Sequence, residues 1–317
     1  MLMSNQGSAT GKPVLVTGIH RSGSTWVGKV FSSAPGVGYI EEPFRRNQRR
    51  GIKVDNGQFW CPYFQVRSRY PFQRRLRARL MFHYDTLAAL RGISSKRLFA
   101  RVMADIAHYT WHRLKASRAL VKDPTLFFSA EWFAETFDAQ VVVLVRHPAA
   151  FAESLSRTGP GWRWDFTRFL AQPALLSKFP PCLREEIRDQ AAARSPVLEE
   201  AALLWRLFYY IAVRYREEYP NWLFLRHEDL CLAPFRMFPT AFRALGLRFG
   251  GQAQRFLART TDARNPIDAP GRSTNFQTRN SRAVATKWKS RLSRRQIDSL
   301  RGKVESVSRH FYEDSDW

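Results

Sequence analysis

The sequence predicts an α/β protein in which a mostly parallel sheet is flanked by helices, and three observations predict it. Apolar, strand-like runs alternate with helical stretches along much of the chain, the order that builds βαβ units. The run "AQVVVLVRHP" at 139–148 holds five consecutive apolar residues, too continuous for an edge strand and suited to the middle of a parallel sheet. Near the start, "GIHRSGSTWVG" at 18–28 follows the apolar "VLVT" and leads into a helix. Its spacing, Gly18, four residues, Gly23, then Ser24-Thr25, is that of a phosphate-cradling loop at a strand–helix junction.

The elements follow in order. "KPVLVTG" is a short buried strand ending in glycine, and "STWVGKVFSSA" is helical until Pro35-Gly36. Residues 45–80 carry "RRNQRR" and "RSRYPFQRRLRARL", a basic region mixed with aromatics. "RALVKDP" is a strand stopped by Pro124, and the helical "FSAEWFAETF" follows it. After the central strand, "PAAFAESLSR" starts a helix with proline in its first turn. Residues 158–195, with "TGPGWRW" and "FPPC", read as an insertion or lid rather than core. "PVLEEAALLWRLFYYIAVRYREEYP" has long helical periodicity, and "NWLFLRHEDL" supplies another strand. Residues 262–290, rich in Asn, Ser, Arg and Pro, read as a long loop, and "SRRQIDSLRGKVESVSRHFYE" as a closing helix. Ligands of such sheets sit beyond the carboxyl ends of the strands. Those ends here carry Gly18, Lys122-Asp123, Arg146 and His227-Glu228-Asp229.

Composition narrows the partners. The 317 residues suffice for a large core, in one big domain or two small ones. With 51 Lys+Arg against 27 Asp+Glu the formal charge is +24, which favours nucleotides, nucleic acid, acidic glycans or anionic lipid head groups without choosing among them. Cys61, Cys182 and Cys231 are widely spaced and read as free thiols in a reducing compartment. The first residues, "MLMSNQGSATGKP", hold no signal-peptide core, and no run approaches a membrane span. The expectation is a cytoplasmic protein, with peripheral contact to an anionic membrane left open.

The phosphate loop lacks its lysine. In kinases and GTPases that lysine neutralises the β- and γ-phosphates, and the next Ser/Thr holds magnesium with a strand-end aspartate. Here Ser24 stands at the lysine position, and the best strand ends in Arg146. Backbone N–H groups, the hydroxyls of Ser22, Ser24 and Thr25, and the helix dipole still suit an anion, with Arg21 adding a permanent charge. A metal-free site for a phosphate-bearing donor follows. A sulfuryl group, which carries less charge than a phosphoryl group, meets that description.

At these residues the chain resembles the sulfotransferase superfamily that uses PAPS (3′-phosphoadenosine 5′-phosphosulfate). The resemblance runs through "HRSGSTW", "EEP" at 41–43, "VKDP" at 121–124, "VLVRHPAAFAESLSR", "RHEDL" at 226–230 and "TKWKSRLSRRQ". It implies a P-loop NTPase-like fold, with a flexible 1–12 and one domain over 13–317. Within that domain 45–80 and 158–195 are acceptor-side insertions or a lid, and 262–290 closes over the nucleotide.

The resemblance also assigns roles. Arg21 takes the place of the family's phosphate-loop lysine, as arginine does in carbohydrate-acting relatives, and would hold the 5′-phosphate and stabilise the departing oxygen. Ser22, Gly23, Ser24 and Thr25 complete that loop; Gly23 lets the backbone approach the phosphate. Trp26 either stacks on adenine or is a buried helix aromatic. Arg146 and Ser154 match the 3′-phosphate pair, and His147, preceding a proline, has no role. Of the loop arginines, Arg279 and Arg282 are both candidates for the 3′-phosphate, with Trp288-Lys289 anchoring the following helix.

The acceptor hydroxyl needs a base, and the histidine of phenol-acting relatives is missing from "VKDPT". Glu42 is the first choice, Glu41 the second and Asp123 the runner-up. Lys122 would lower the negative charge near the transferred group. The expected acceptor is a carbohydrate or glycoconjugate. A small phenolic or lipid alcohol is the alternative, met by a pocket of Phe59, Trp60, Tyr63 and Phe64. Two other classes stand as rivals: a kinase-like protein, which would need magnesium, and a nucleic-acid-binding module, for which no recognised motif is present, so no nucleic acid is expected.

Overall fold

In the computed structural model, which describes residues 11–54, 59–158, 164–193, 195–268, 276 and 278–317, a five-stranded parallel sheet organises the chain. Its strands are β1 (Val14–Gly18), β2 (Val37–Glu41), β3 (Arg118–Lys122), β4 (Gln140–Val145) and β5 (Leu223–Arg226), in the spatial order β2-β3-β1-β4-β5. β1 is central: Leu15 lies opposite Val121 of β3 and Val141 of β4. This is the α/β, P-loop-like architecture expected, and every observed strand pair is parallel.

The helices are α1 (Ser24–Phe31), α2 (Gln73–Leu80), α3 (Thr86–Leu90), α4 (Lys96–Leu114), α5 (Ala130–Phe137), α6 (Pro148–Ser156), α7 (Thr167–Leu170), α8 (Pro173–Leu176), α9 (Pro181–Ala192) and α10 (Val197–Glu218). The remainder are α11 (His227–Leu232), α12 (Pro234–Ala244), α13 (Gly251–Thr261), α14 (Ser281–Thr286), α15 (Trp288–Arg291) and α16 (Arg294–Ser308). Strand side chains alternate between faces, so the sheet feeds two cores. Leu15, Val121, Val141 and Val143 face a cluster holding Phe151 of α6, Trp205 and Phe208 of α10, and Val304 of α16. Val14, Val16, Val142 and Leu144 face the other, with Phe31 of α1, Phe238 and Phe242 of α12, and Leu257 of α13.

Four expectations need correction. β2 was not anticipated; its five residues begin just after the Pro35-Gly36 turn, and only pairing with β3 over Val37–Glu41 makes them a strand. Residues 158–195, expected to stand apart from the core, place Phe166, Phe169, Phe179 and Ile187 in the larger cluster, because their aromatic spacing gives α7–α9 an inner face. The long loop is broken by α14, whose start Asn280 caps by accepting from the Ala283 N–H at 3.0 Å. Phe64, expected to line a pocket, is buried among Phe44, Phe72 and Trp132. Of the start expected to be flexible over 1–12, residues 1–10 lie outside the described residues. Among the described residues no helix is long and apolar enough to cross a membrane.

Candidate active site

All five strands end on one edge, and the loop after β1 occupies its centre. Gly18 has φ +151, and a Cβ there would lie 2.7 Å from the Leu144 carbonyl oxygen, so β4 leaves room for glycine alone. Gly23 has φ +90, and a Cβ would lie 3.2 Å from the His227 ring. Between them Arg21, at φ 64, adopts the left-handed conformation without glycine's freedom. Its surroundings hold it there: Arg146 Nη1 donates to its carbonyl, and its own Nε donates to Ser154 Oγ at 2.7 Å. Ser22 and Ser24 are buried and Thr25 is partly so. No side chain caps α1, which leaves its first-turn N–H groups to an anion.

Cations gather around this loop. Arg146 is fixed at the end of β4 by α10: its N–H donates to Tyr209 Oη at 3.1 Å, and its carbonyl accepts from Trp205 Nε1 at 2.8 Å. Arg279 lies close enough to repel both Arg21 and Arg146. Burial first, then Arg146 and Arg279, push the Arg21 guanidinium down to about 10, with Glu153 opposing. Two buried donors, Ser22 Oγ and Arg146 Nε, have no hydrogen-bond partner. Crowded like charges and orphaned donors at a helix N-terminus fit a phosphate-bearing group. Arg282, in contrast, turns to the Leu232 carbonyl at 3.2 Å. Trp26 is half-buried; its Nε1 donates to Thr260 Oγ1 at 3.0 Å and its ring meets His227 and Phe238 edge-on.

The carboxylates sit at the ends of β2 and β3. Glu42, at φ 44, turns back so that its N–H donates to the Lys122 carbonyl at 2.8 Å and its Oε1 accepts from Lys122 Nζ. Its other oxygen lies 3.6 Å from Arg45 Nη1. Glu41 also approaches, with Oε1 3.7 Å from the same ammonium, and is the more exposed of the two. Lys122 itself is buried. Asp123 is differently employed. Its Oδ1 accepts from the Thr125 N–H at 2.9 Å and hydroxyl at 2.6 Å, and its Oδ2 accepts from the Phe44 N–H at 3.0 Å. Burial, then the charge of Glu42, push its carboxyl up to about 6.

Sequence reasoning missed a second layer. Buried Glu153, next to Ser154, holds Arg291 at 2.8 Å and lies 3.9 Å from Lys287 and 3.8 Å from Arg157. Asp268 takes Arg291 at 2.6 Å and Lys287 at 3.2 Å. The network ties the segment flanking Arg279 to α6, and its signal was the acid–hydroxyl pair Glu153-Ser154 beside a basic "KWKSR". His147 is structural, stacked at 4.5 Å on Trp288, the first residue of α15.

Fold and site together define a P-loop-like α/β protein with a cationic, partly unpartnered loop at the carboxyl ends of its strands. The sulfotransferase family profile matches residues 13–179, more than half of the chain, and the chain belongs to that family. It is a PAPS-dependent sulfotransferase, which sets aside the kinase-like and nucleic-acid readings. No curated protein matches the chain. Among solved structures it is similar to the sulfotransferase domain of the olefin synthase of Synechococcus PCC 7002, at 16% identity and TM-score 0.51 over 97% of each chain. It is also similar to the mouse sulfotransferase SULT7A1, solved with PAP, at 11% identity and TM-score 0.46 over 96% of this chain and 86% of that one. Among the described residues no group of side chains is arranged to hold a metal ion.

Proposed function

We propose that the acceptor is a hydroxyl of a carbohydrate or glycoconjugate and that Glu42 takes its proton. PAPS supplies the sulfuryl group, which passes in line to the acceptor oxygen as its bond to the 5′-phosphate oxygen breaks. Arg21, Ser22, Gly23, Ser24 and Thr25 hold the 5′ end, and Arg21 stabilises the charge left on the departing oxygen. Arg146, Ser154 and Arg279 receive the 3′-phosphate; the hydrogen bond between Arg21 and Ser154 joins the two halves of the donor site. Arg282, bonded elsewhere, and Trp26, held by Thr260, are left as packing residues in this reading. Lys122 orients Glu42 as base, while Asp123, its oxygens already engaged, braces the turn.

The observation that carries the donor site is the crowding of Arg21, Arg146 and Arg279 over unpartnered Ser22 Oγ and Arg146 Nε. The sugar acceptor rests on Arg21 in the loop with Glu42 as base. One feature favours a flat apolar alcohol instead: His20 stacks on Trp164 at 5.3 Å, and Trp164 meets the exposed Trp60 at 6.3 Å, an aromatic wall starting at the phosphate loop. An acceptor screen with labelled PAPS, read by mass spectrometry over sugars, glycolipids, phenols and lipid alcohols, separates the two. Sulfated sugar or glycolipid is expected. Transfer to phenols or lipid alcohols alone would overturn the carbohydrate assignment.

A further inference from the structure

Helix α4 carries apolar side chains on both faces. Its inner face buries Val102 and Tyr109 and is fastened by polar groups beside them: Asp105 receives Arg49 at 2.6 and 2.9 Å, His108 Nε2 bonds the Tyr39 carbonyl at 3.0 Å, and His112 Nδ1 bonds Ser117 Oγ at 2.9 Å. Its outer face is apolar. Phe99, Met103, Trp111 and Leu114 are exposed, Leu114 by 79%, and the exposed alanines 100, 104 and 107 lie between them. Of the eleven large hydrophobic residues exposed among the described residues, seven fall within 81–114, so the apolar surface is concentrated here. Ordinary surface helices turn a polar face to solvent, and an exposed apolar face of this extent needs a partner.

Charge says which partner. Exposed Lys96, Arg97 and Arg101 flank the N-terminal half of the stripe, and Arg113 and Lys115 its end, with the Lys115 ammonium 5.1 Å from the Trp111 ring. Asp105 is the helix's one acid, and it is turned inward against Arg49. Two copies packed through this face would press two sets of cations together on chains of +24 each. An anionic bilayer meets both features at once, taking the apolar side chains at the acyl boundary and the cations among its head groups.

We propose that α4 docks this protein on anionic membrane surfaces. The basic stretch at 45–79, where sequence alone suggested such contact, is partly spent internally: Arg49 is paired and Arg79 is buried, donating to the His83 carbonyl at 2.5 Å. The inference is independent of the acceptor assignment. It adds that the edge of the sheet ending in Glu41-Glu42 lies on the membrane side, since His108 fastens α4 to β2.

The test is co-sedimentation of the full chain with phosphatidylcholine vesicles, with and without an equal part of phosphatidylglycerol. Binding is expected only to the mixed vesicles. The double variant Phe99→Ser/Trp111→Ser should weaken it about tenfold or more, because two interfacial aromatics are lost. Two controls elsewhere, Phe235→Ser and Arg294→Ser/Arg295→Ser, should stay within about twofold. If the double variant melts early, Leu114→Ser at the most exposed position replaces it. Equal binding by wild type and variant would reduce the effect to net charge and overturn the proposal. So would no binding to mixed vesicles, or a dimer seen by light scattering that the variant dissociates.

Discussion

At the scale of single residues, the site separates holding from chemistry. Tyr209 and Trp205 clamp the Arg146 backbone and the Arg21 carbonyl takes its Nη1, which leaves its Nε as the unpartnered donor for a ligand. Arg146→Ala should lose about 2–4 kcal/mol of affinity for PAP, read by calorimetry, as when a buried charge-assisted contact is removed. Glu42→Gln should cut turnover about 10²–10⁴-fold and leave PAP affinity nearly intact, because a base acts only on the acceptor. Wild-type turnover in that variant would remove Glu42 from the role. Asp123 makes a pH prediction. Its carboxyl titrates near 6 in the fold against 3.8 as the ordinary value, so the native state binds more protons over that window. Asp123's own contribution to stability should be fullest below about pH 4 and fall by about 3 kcal/mol as pH rises through 6. Urea titrations at several pH values should show this slope, and Asp123→Asn, less stable overall for its lost acceptor, should flatten it.

At the scale of elements, strand ends and helix starts position what the residues do. α6 serves twice: Ser154 faces Arg21, and its neighbour Glu153 faces the cations of 287–291. Neutralising Glu153 leaves Arg291 and Lys287 to Asp268 alone, with a buried amide where the carboxylate was. Glu153→Gln should therefore cost about 2–4 kcal/mol in urea unfolding, less than the ~3–5 kcal/mol of a pair broken outright, because Asp268 still holds both cations. Hydrogen exchange should speed up over α14 and α15, because their tie to α6 is lost. An unchanged urea midpoint would mean that packing of Trp288 alone holds this segment. The elements also show which periodicities were readable. β4, with its five apolar residues, and α10, with its long 3.6-residue repeat, stand in the structure where sequence put them. β2 has five residues and an interrupting Gly38, too little pattern to register without its neighbour.

At the scale of the whole molecule, one anion should stabilise the fold that gathers cations around it. PAP at about one hundred times its Kd should add about 2.7 kcal/mol of unfolding free energy, read as a raised Tm. EDTA should not change that gain, and added salt should reduce it by screening. Loss of the gain in EDTA would bring a metal into the donor site.

What sequence by itself determined was local: the glycine-framed loop, the strand–helix alternation, and Arg146 with Ser154 eight residues on, all within one or two elements. Such patterns survive in sequence because a strand or a loop imposes its spacing on neighbours along the chain. Tertiary structure alone decided the rest. It joined Glu42 to Lys122 across 80 residues and Arg291 to Glu153 across 138, and it set Arg279 near Arg146 while Arg282 bonds the Leu232 carbonyl. It spent the oxygens of Asp123 on Thr125 and Phe44, and it left an apolar outer face on α4 exposed. The physical reason is common to all: an ion pair, a filled lone pair or an exposed face depends on which distant elements come together, and no short-range spacing records that.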